Sequence, residues 1–397
     1  SYHEYMADGD INPSNPFGGI PFFNDMMRAM AGQGPLNWDL AQQFAQLGAV
    51  GDSADPEPDT ATRLAFNSLA DIADMHVRAI TSLSTGANDT HTEILTTTRA
   101  RWAHRTLTDL RPLFTNLATA LQSHDTGGDV PDDPMAAMMA NLSTMMAPAM
   151  MGMSVGSMIG ALASHALGQY EIPLARPHTS EILIVASSVD AFATEWEIPK
   201  DDLRMWVLIH ELASHAVLAA PAIADGLTTL VQAHVSAFRP DPDALMSSLT
   251  DLDPADSDAM AAVQSLFSNP MVMMGASRTA EQEALAPVLD AHVAAISGYI
   301  DYVVDAVSAR LLGGASPIAE AVRRRRVQNG TNSHLVEQLL GISQTRAQQQ
   351  RGRAFIQGVI ERDGEALLTS LVSAPGNLPT PSEIDAPGLW LARLEIQ

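Results

Sequence analysis

The chain reads as mainly α-helical, with one or two short strands. Apolar residues fill 46% of the 397 positions while aromatics fill 5%, so the core must be built from small and unbranched aliphatic side chains of the kind helices favour. The long stretch EQEALAPVLDAHVAAISGYIDYVVDAVSARLL, within 280–312, carries apolar residues at three- and four-residue spacing. EILIVASS, at 181–188, is the best strand candidate: short, apolar and rich in β-branched residues.

Residues 1–23, punctuated by Pro-Phe-Gly-Gly-Ile-Pro-Phe-Phe, are expected to be an irregular N-terminal segment. A helical region over 24–125 follows, and SHDTGGDVPDDP at 123–134 separates it from a main region over 133–397. Within the first region Asn37 is the N-cap of a helix to Gly48, and GDSADPEPD (51–59) is an acidic loop. Two long helices are expected at about 60–84 and 90–123.

The methionine-rich segment 135–168 is apolar enough for a membrane span, but Pro148, Asn141, Ser143 and Thr144 interrupt it and no basic flank follows. The expectation is therefore no membrane span, but one helix ending before Pro148 and a second from Ser154. Gly156, Gly160 and Ser164 then form a small-residue ridge for close packing. Further helices are expected at 201–219, from Pro221 to about 238, at 280–312 with a jog at Pro287 or Gly298, and at 316–328, 344–362 and 386–395.

A net charge of −24 makes phosphate backbones and anionic lipid poor partners, so no nucleic acid is expected. Without cysteine there is neither a disulfide framework nor a thiolate metal site, and a cytoplasmic location is the simplest expectation. The acidic opening SYHEYMADGDINPSNPFGG is unlike a basic, apolar export leader. The run Arg323, Arg324, Arg325 and Arg326 is read either as a solvated helix face or as an anion or partner patch.

The chemistry turns on WVLIHELASHAV, residues 206–217. Positions i and i+4 of an α-helix lie about 40° apart, so histidines at that spacing can share one zinc while the adjacent glutamate acts as general base. Here His210 and His215 are five apart, about 140° around an ideal helix, with Ser214 at the i+4 position. A π-bulge would bring His215 back beside His210. Without one, His210 shares a face with Ser214, and Glu211 with His215.

Beyond the motif, NPFGGIPFF, GQGPLNWDLAQQFA, SVGSMIGALASHALGQYEIPL, the block ILIVASSVDAFATEWEIPKDDLRMWVLIHE, SGYIDYVVDAV, IAEAVRRRR, LLGISQTRAQQQRGRAFIQGV and NLPTPSEIDAPGLWLARL together resemble the zincin-like metallopeptidase type 2 family of actinobacterial hydrolases. The resemblance implies a zincin-like helical fold with His210 as first zinc ligand and Glu211 as general base. The family's second histidine falls on Ser214, and its glutamate before Gly-Tyr on Ser297. His234 and Asp301 are substitute ligands within reach of the pattern.

The expectation that follows is a family member with a degenerate site, acting through binding or assembly with a protein or peptide partner. Zinc is expected only if the site is intact, so the departures favour no cofactor. The alternative is an active zinc peptidase or other hydrolase using His210, His215 and Glu211; a structural, oligomer-forming protein is the third reading. Gly152-Met-Ser-Val-Gly156 matches a nucleophile-elbow pattern but follows a helical segment rather than a strand. Asp251, Asp253, Asp256 and Asp258 lack the glycine and glutamate of a calcium loop.

Overall fold

The computed structural model describes residues 34–51, 54–86, 92–122, 134–177, 179–240, 276–277, 279–314, 316–328, 336–342 and 344–396. The expected irregular segment 1–23, the acidic cluster 251–258 and most of the expected boundary at 123–134 lie outside the described residues.

The N-terminal half follows local signals closely. α1 (Trp38–Val50) begins where the Asn37 side chain accepts from Leu40 N at 3.1 Å. α2 (Thr60–Thr81) is capped by Asp59 in the same way. The acidic loop is fixed at its Asp55 carboxylate, which accepts from the backbone N–H groups of Arg99 (2.9 Å) and Ala100 (3.0 Å) and so caps the next helix.

The expected helix over 90–123 is instead three elements: strand β1 (Glu93–Thr97), α3 (Arg99–Asp109) and α4 (Arg111–Gln122). β1 pairs in parallel with β2 (Glu181–Val185), Ile94 opposite Ile182 and Thr97 opposite Val185. Ile94 and the β-branched Thr96 and Thr97 suit a buried pleat, and it is the partner strand from later in the chain that selects this state.

α5 (Pro134–Ala163) runs straight through Pro148, where two helices were expected. The Pro148 carbonyl accepts from Asn37 N at 2.9 Å, which ties the helix at the proline to the start of α1. Gly156 and Gly160 of the expected small-residue ridge press on the backbone of α1 at Ala41 and Ala45, joined by Gly152 at Asn37, while Ser164 lies past the end of the helix. Ser154 therefore lies inside a helix, not on a strand-to-helix turn. Met145–Ala163 is the one helix among the described residues long and apolar enough to cross a membrane, and half of it is covered by the protein.

β2 leads directly into α6 (Ala186–Glu195), then α7 (Lys200–Ala219) and α8 (Pro221–Ser236), with 81° between the last two. A two-residue antiparallel pairing joins β3 (Arg239–Pro240) to β4 (Ala276–Ser277). α9 (Ala280–Leu311) is continuous through Pro287 and Gly298 and opens with a capping box between Thr279 and Gln282. α10 (Ser316–Gln328) and α11 (Arg346–Asp363) follow; a 3₁₀ turn (Glu365–Thr369), the short α12 (Ser370–Ser373) and α13 (Pro387–Ile396) close the chain.

α7 is the central helix: it packs on α2, α9 and α8 and buries nearly every side chain from Leu203 to Leu218. α9 and α11 cross at Gly298 and Gly352, where a Cβ at Gly298 would stand 2.6 Å from the Gly352 carbonyl oxygen.

The terminal NLPTPSEIDAPGLW pattern is a structural clasp. Glu383 Oε2 accepts from Thr380 N at 2.9 Å, Arg393 grips both Glu383 oxygens at 2.7 and 3.0 Å, and buried Trp390 donates to Asn377 O at 2.6 Å. Burial raises the Glu383 carboxyl, but Arg393 and the Thr380 N–H outweigh it and hold the group below its ordinary value.

Two outcomes follow. Gly156→Ala improves intrinsic helix propensity by about 1 kcal/mol but drives a methyl into the Ala41 carbonyl, so it is expected to destabilise by about 1–3 kcal/mol. Gly226→Ala, on an open face of α8, is expected to stabilise by up to about 1 kcal/mol; urea midpoints of the two variants check the contrast. His292, on α9, is pushed by burial, and secondarily by Arg393, from 6.5 down to about 4. The unfolded chain therefore takes up this proton first as pH falls, so stability is whole above about 6.5 and loses on the order of 3 kcal/mol toward pH 4. His292→Gln is expected to flatten the stability profile between pH 6.5 and 5, above the range where carboxylates titrate.

Candidate functional site

α7 is a regular α-helix throughout, with Asp201 and Asp202 favourably placed in its first turn. No bulge moves His215 next to His210. Regular winding leaves His210 and Ser214 on one face, and both line a cleft of about 40 Å³. α9 supplies Val293, Ala294, Ser297, Ile300 and Asp301; Gln344 and the first turn of α11 supply Gln348 and Gln349; Tyr170 and Pro173 complete the wall. The sequence positions singled out at His210, Ser214, Ser297 and Asp301 are thus brought to one place.

Glu211 is 3% exposed, and both of its oxygens are engaged. Oε2 accepts from Tyr170 N at 2.9 Å, and Oε1 lies 3.1 Å from His210 Nδ1. An ionised carboxylate only accepts, so this contact places the proton of a neutral His210 on Nδ1 and leaves Nε2 as the ring's acceptor. The imidazole stacks on Trp206, ring centroids 5.5 Å apart. His210 and Glu211 also border a second cleft of about 20 Å³, with Glu171, Trp206 and Arg325.

Tyr170 N–H reaches Glu211 because residues 167–170 lie along β2. Val185 N donates to Leu167 O at 2.9 Å, and Gly168 forms a bridge with Ile184. The Gly168 carbonyl also accepts from Trp102 Nε1 at 2.7 Å. A Cβ on Gly168 would stand 2.6 Å from Glu211 Cγ, so glycine is required for this approach.

His215, 1% exposed, belongs to a different contact: its Nδ1 lies 2.7 Å from the Tyr170 hydroxyl. Burial raises the tyrosine pKa above its ordinary value, so the phenol keeps its proton and bonds to the ring as donor or acceptor according to the imidazole tautomer. In place of the bulged ligand geometry, His215 is a buried partner of Tyr170. His234 is likewise buried, packed edge-on to Phe238 and against Gly341, and is not among the residues lining the cleft. Asp301 does line it, but Oδ2 accepts from Arg353 Nε at 2.9 Å and Nη2 at 2.8 Å.

Within the arginine run, Arg323 and Arg324 pair with Glu320 at 3.3 and 3.0 Å. Arg325 turns inward, donating to His165 O at 2.7 Å and covering the Phe192 ring at 4.9 Å. The side chain of Arg326 lies outside the described residues. Gly168, Tyr170 and Gln348 were not singled out from sequence. All three sit in stretches that carry the family resemblance, ALGQYEIPL and LLGISQTRAQQQRGRAFIQGV, which was the available signal; no periodicity marks them.

The fold and comparisons with known proteins agree. At 18% identity and a TM-score of 0.64, the structure matches the crystal structure of a protein described as "a putative hydrolase with a novel fold" from Chloroflexus aurantiacus, covering 91% of this chain and 99% of that one. No curated protein matches the chain. The sequence profile of a zincin-like metallopeptidase family matches residues 36–391, and the chain belongs to that family.

Proposed function

We propose that this chain uses the zincin scaffold as a binding module and does not carry out zinc-dependent hydrolysis. The supporting observation is the composition of its central cleft. A protein zinc site takes three or four nitrogen, sulfur or carboxylate ligands. The cleft offers one imidazole, His210; Ser214 and Ser297 stand where the family resemblance implies ligands, and Asp301 is held by Arg353. Among the described residues no three His, Asp or Glu side chains converge as a metal-binding group. This donor set does not fit zinc.

Glu211 acts as a clamp in this reading. Its carboxylate joins α7 to the 167–170 segment, fixes His210 through Nδ1, and lines the smaller second cleft. The scaffold keeps a walled recess with hydroxyl and carboxamide groups, suited to recognition of a ligand or of a protein or peptide partner.

Elemental analysis of chelator-treated protein re-equilibrated with excess zinc is expected to find far less zinc than protein. Near-stoichiometric zinc that disappears in His210→Ala would overturn the reading and restore a zinc-dependent hydrolase with His210 as a ligand. Ser214→His combined with Ser297→Glu is expected to create tight zinc binding, because both positions already face the cleft with His210. Glu211→Gln separates clamp from catalyst. Removal of a strained catalytic base commonly leaves stability equal or improved, whereas loss of a clamp leaves a donor against His210 Nδ1–H and is expected to cost about 1–3 kcal/mol in urea unfolding.

A further inference from the structure

We propose that a recess at the carboxyl ends of α11 and α13, apart from the central cleft, binds a free aliphatic diamine. Its volume is about 610 Å³, within the range of small-molecule sites. Leu367, Leu391 and Leu394 give it aliphatic walls, and among the described residues no basic side chain lines it. Asp363 is the last residue of α11, and Glu395 sits in the last turn of α13; both line the recess and both are exposed. A helix C-terminus is the negative end of its dipole, so a carboxylate there is unfavourable unless a cation stands by. Neither carboxylate forms an ion pair with a described residue. The arginines of the same two turns are committed elsewhere, Arg362 Nη1 to Gly358 O at 2.7 Å and Arg393 to both Glu383 oxygens.

A third group, on a buried residue, points the same way. Asn377 lines the recess and is 8% exposed. Its backbone N–H donates to Ala374 O at 3.2 Å, and its carbonyl accepts from Trp390. Nδ2 donates to Ser370 O at 2.7 Å and to Ser373 Oγ at 3.2 Å; a flipped amide would set oxygen against the Ser370 carbonyl, so the orientation is fixed. Oδ1 has no partner among the described residues, yet it is not sealed from solvent. With every other polar atom of the residue bonded, Oδ1 is the acceptor that Asn377 presents to the recess. Two carboxylates and an amide oxygen call for positively charged donors, and an anion would be repelled. One exposed ion pair contributes little, so two ammonium groups on one methylene stem suit the site better than a simple amine: one for each carboxylate, a spare N–H for Asn377, and the stem on the leucines. A lysine-bearing peptide would also bring backbone amides to leucine walls that offer them no partner.

Isothermal titration calorimetry on the full chain, at about 0.15 M ionic strength to screen long-range attraction to the acidic surface, tests the proposal. Putrescine is compared with butylamine, butanediol and succinate, and with the peptide acetyl-Ala-Lys-Leu-Lys-Ala-amide. Putrescine is expected to bind at least tenfold tighter than any other probe. Asp363→Asn combined with Glu395→Gln is expected to weaken it at least tenfold. Asp71→Asn combined with Glu195→Gln removes the same charge from exposed positions outside the recess and is expected to leave binding unchanged. Leu394→Arg, which sets a cation in the recess, is expected to abolish binding, and near-UV circular dichroism checks that every variant folds. Putrescine binding that falls equally in the two double variants overturns the proposal, because it reports only attraction to an acidic surface. Equal binding of butylamine or butanediol overturns it, as does the absence of putrescine binding. A peptide at least tenfold tighter than putrescine overturns the free diamine and assigns the recess to a lysine-bearing polypeptide.

Discussion

A carboxylate buried in an apolar core is tolerated only when its oxygens are met by donors, and much of the site's architecture follows from meeting that condition at Glu211. One donor is the backbone N–H of Tyr170, and delivering it requires residues 167–170 to run against β2 with no side chain at position 168. The same segment is held from the other side by Trp102 through the Gly168 carbonyl. Once placed, Tyr170 also meets His215. Thus α7 is fixed by contacts from both Glu211 and His215, and the orientation of His210 in the cleft is a consequence of that locking.

The cleft walls depend on a second constraint, close approach of helix backbones. Small residues on α1 and α5, and again on α9 and α11, let the helices sit nearer than side chains normally permit, with dispersion contacts accumulating along each seam. At the second seam the Gly298–Gly352 crossing brings Arg353 to Asp301 and Gln348 to Asp290. Ser297 is thereby presented opposite α7, and the cleft stays narrow.

Charge in this strongly acidic chain is used mainly for internal fastening. Arg204 holds Asp190 through two nitrogens at 2.9 and 2.7 Å, Arg351 holds Asp385 at 2.6 and 2.7 Å, and Arg393 fastens the terminal clasp through Glu383. Such paired geometry orients elements more strongly than isolated surface pairs, which contribute about 0–1 kcal/mol. The LPTPSEID stretch, among the most distinctive of the family resemblance, thus serves the fold and lies apart from the chemistry of the cleft.

By itself the sequence determined the helical class, most helix spans, the cap at Asn37, the Gly156 and Gly160 part of the small-residue ridge, and a strand within 181–188, whose last three residues begin α6. These follow from side-chain periodicity and short-range hydrogen bonding, which act within a few residues. Helical spacing paired His210 with Ser214, and the family resemblance marked Ser297 and, a turn beyond it, Asp301 as positions to compare. Tertiary structure decided the rest. β1 forms because a parallel partner from much later in the chain completes its hydrogen bonds, and α5 continues through Pro148 at the point where α1 docks. It also decided that α7 keeps a regular wind, that His215 turns to Tyr170, that Arg353 occupies Asp301, and that Gln348 reaches the cleft. Each of these rests on groups far apart in the chain, whose meeting depends on packing rather than on any local pattern.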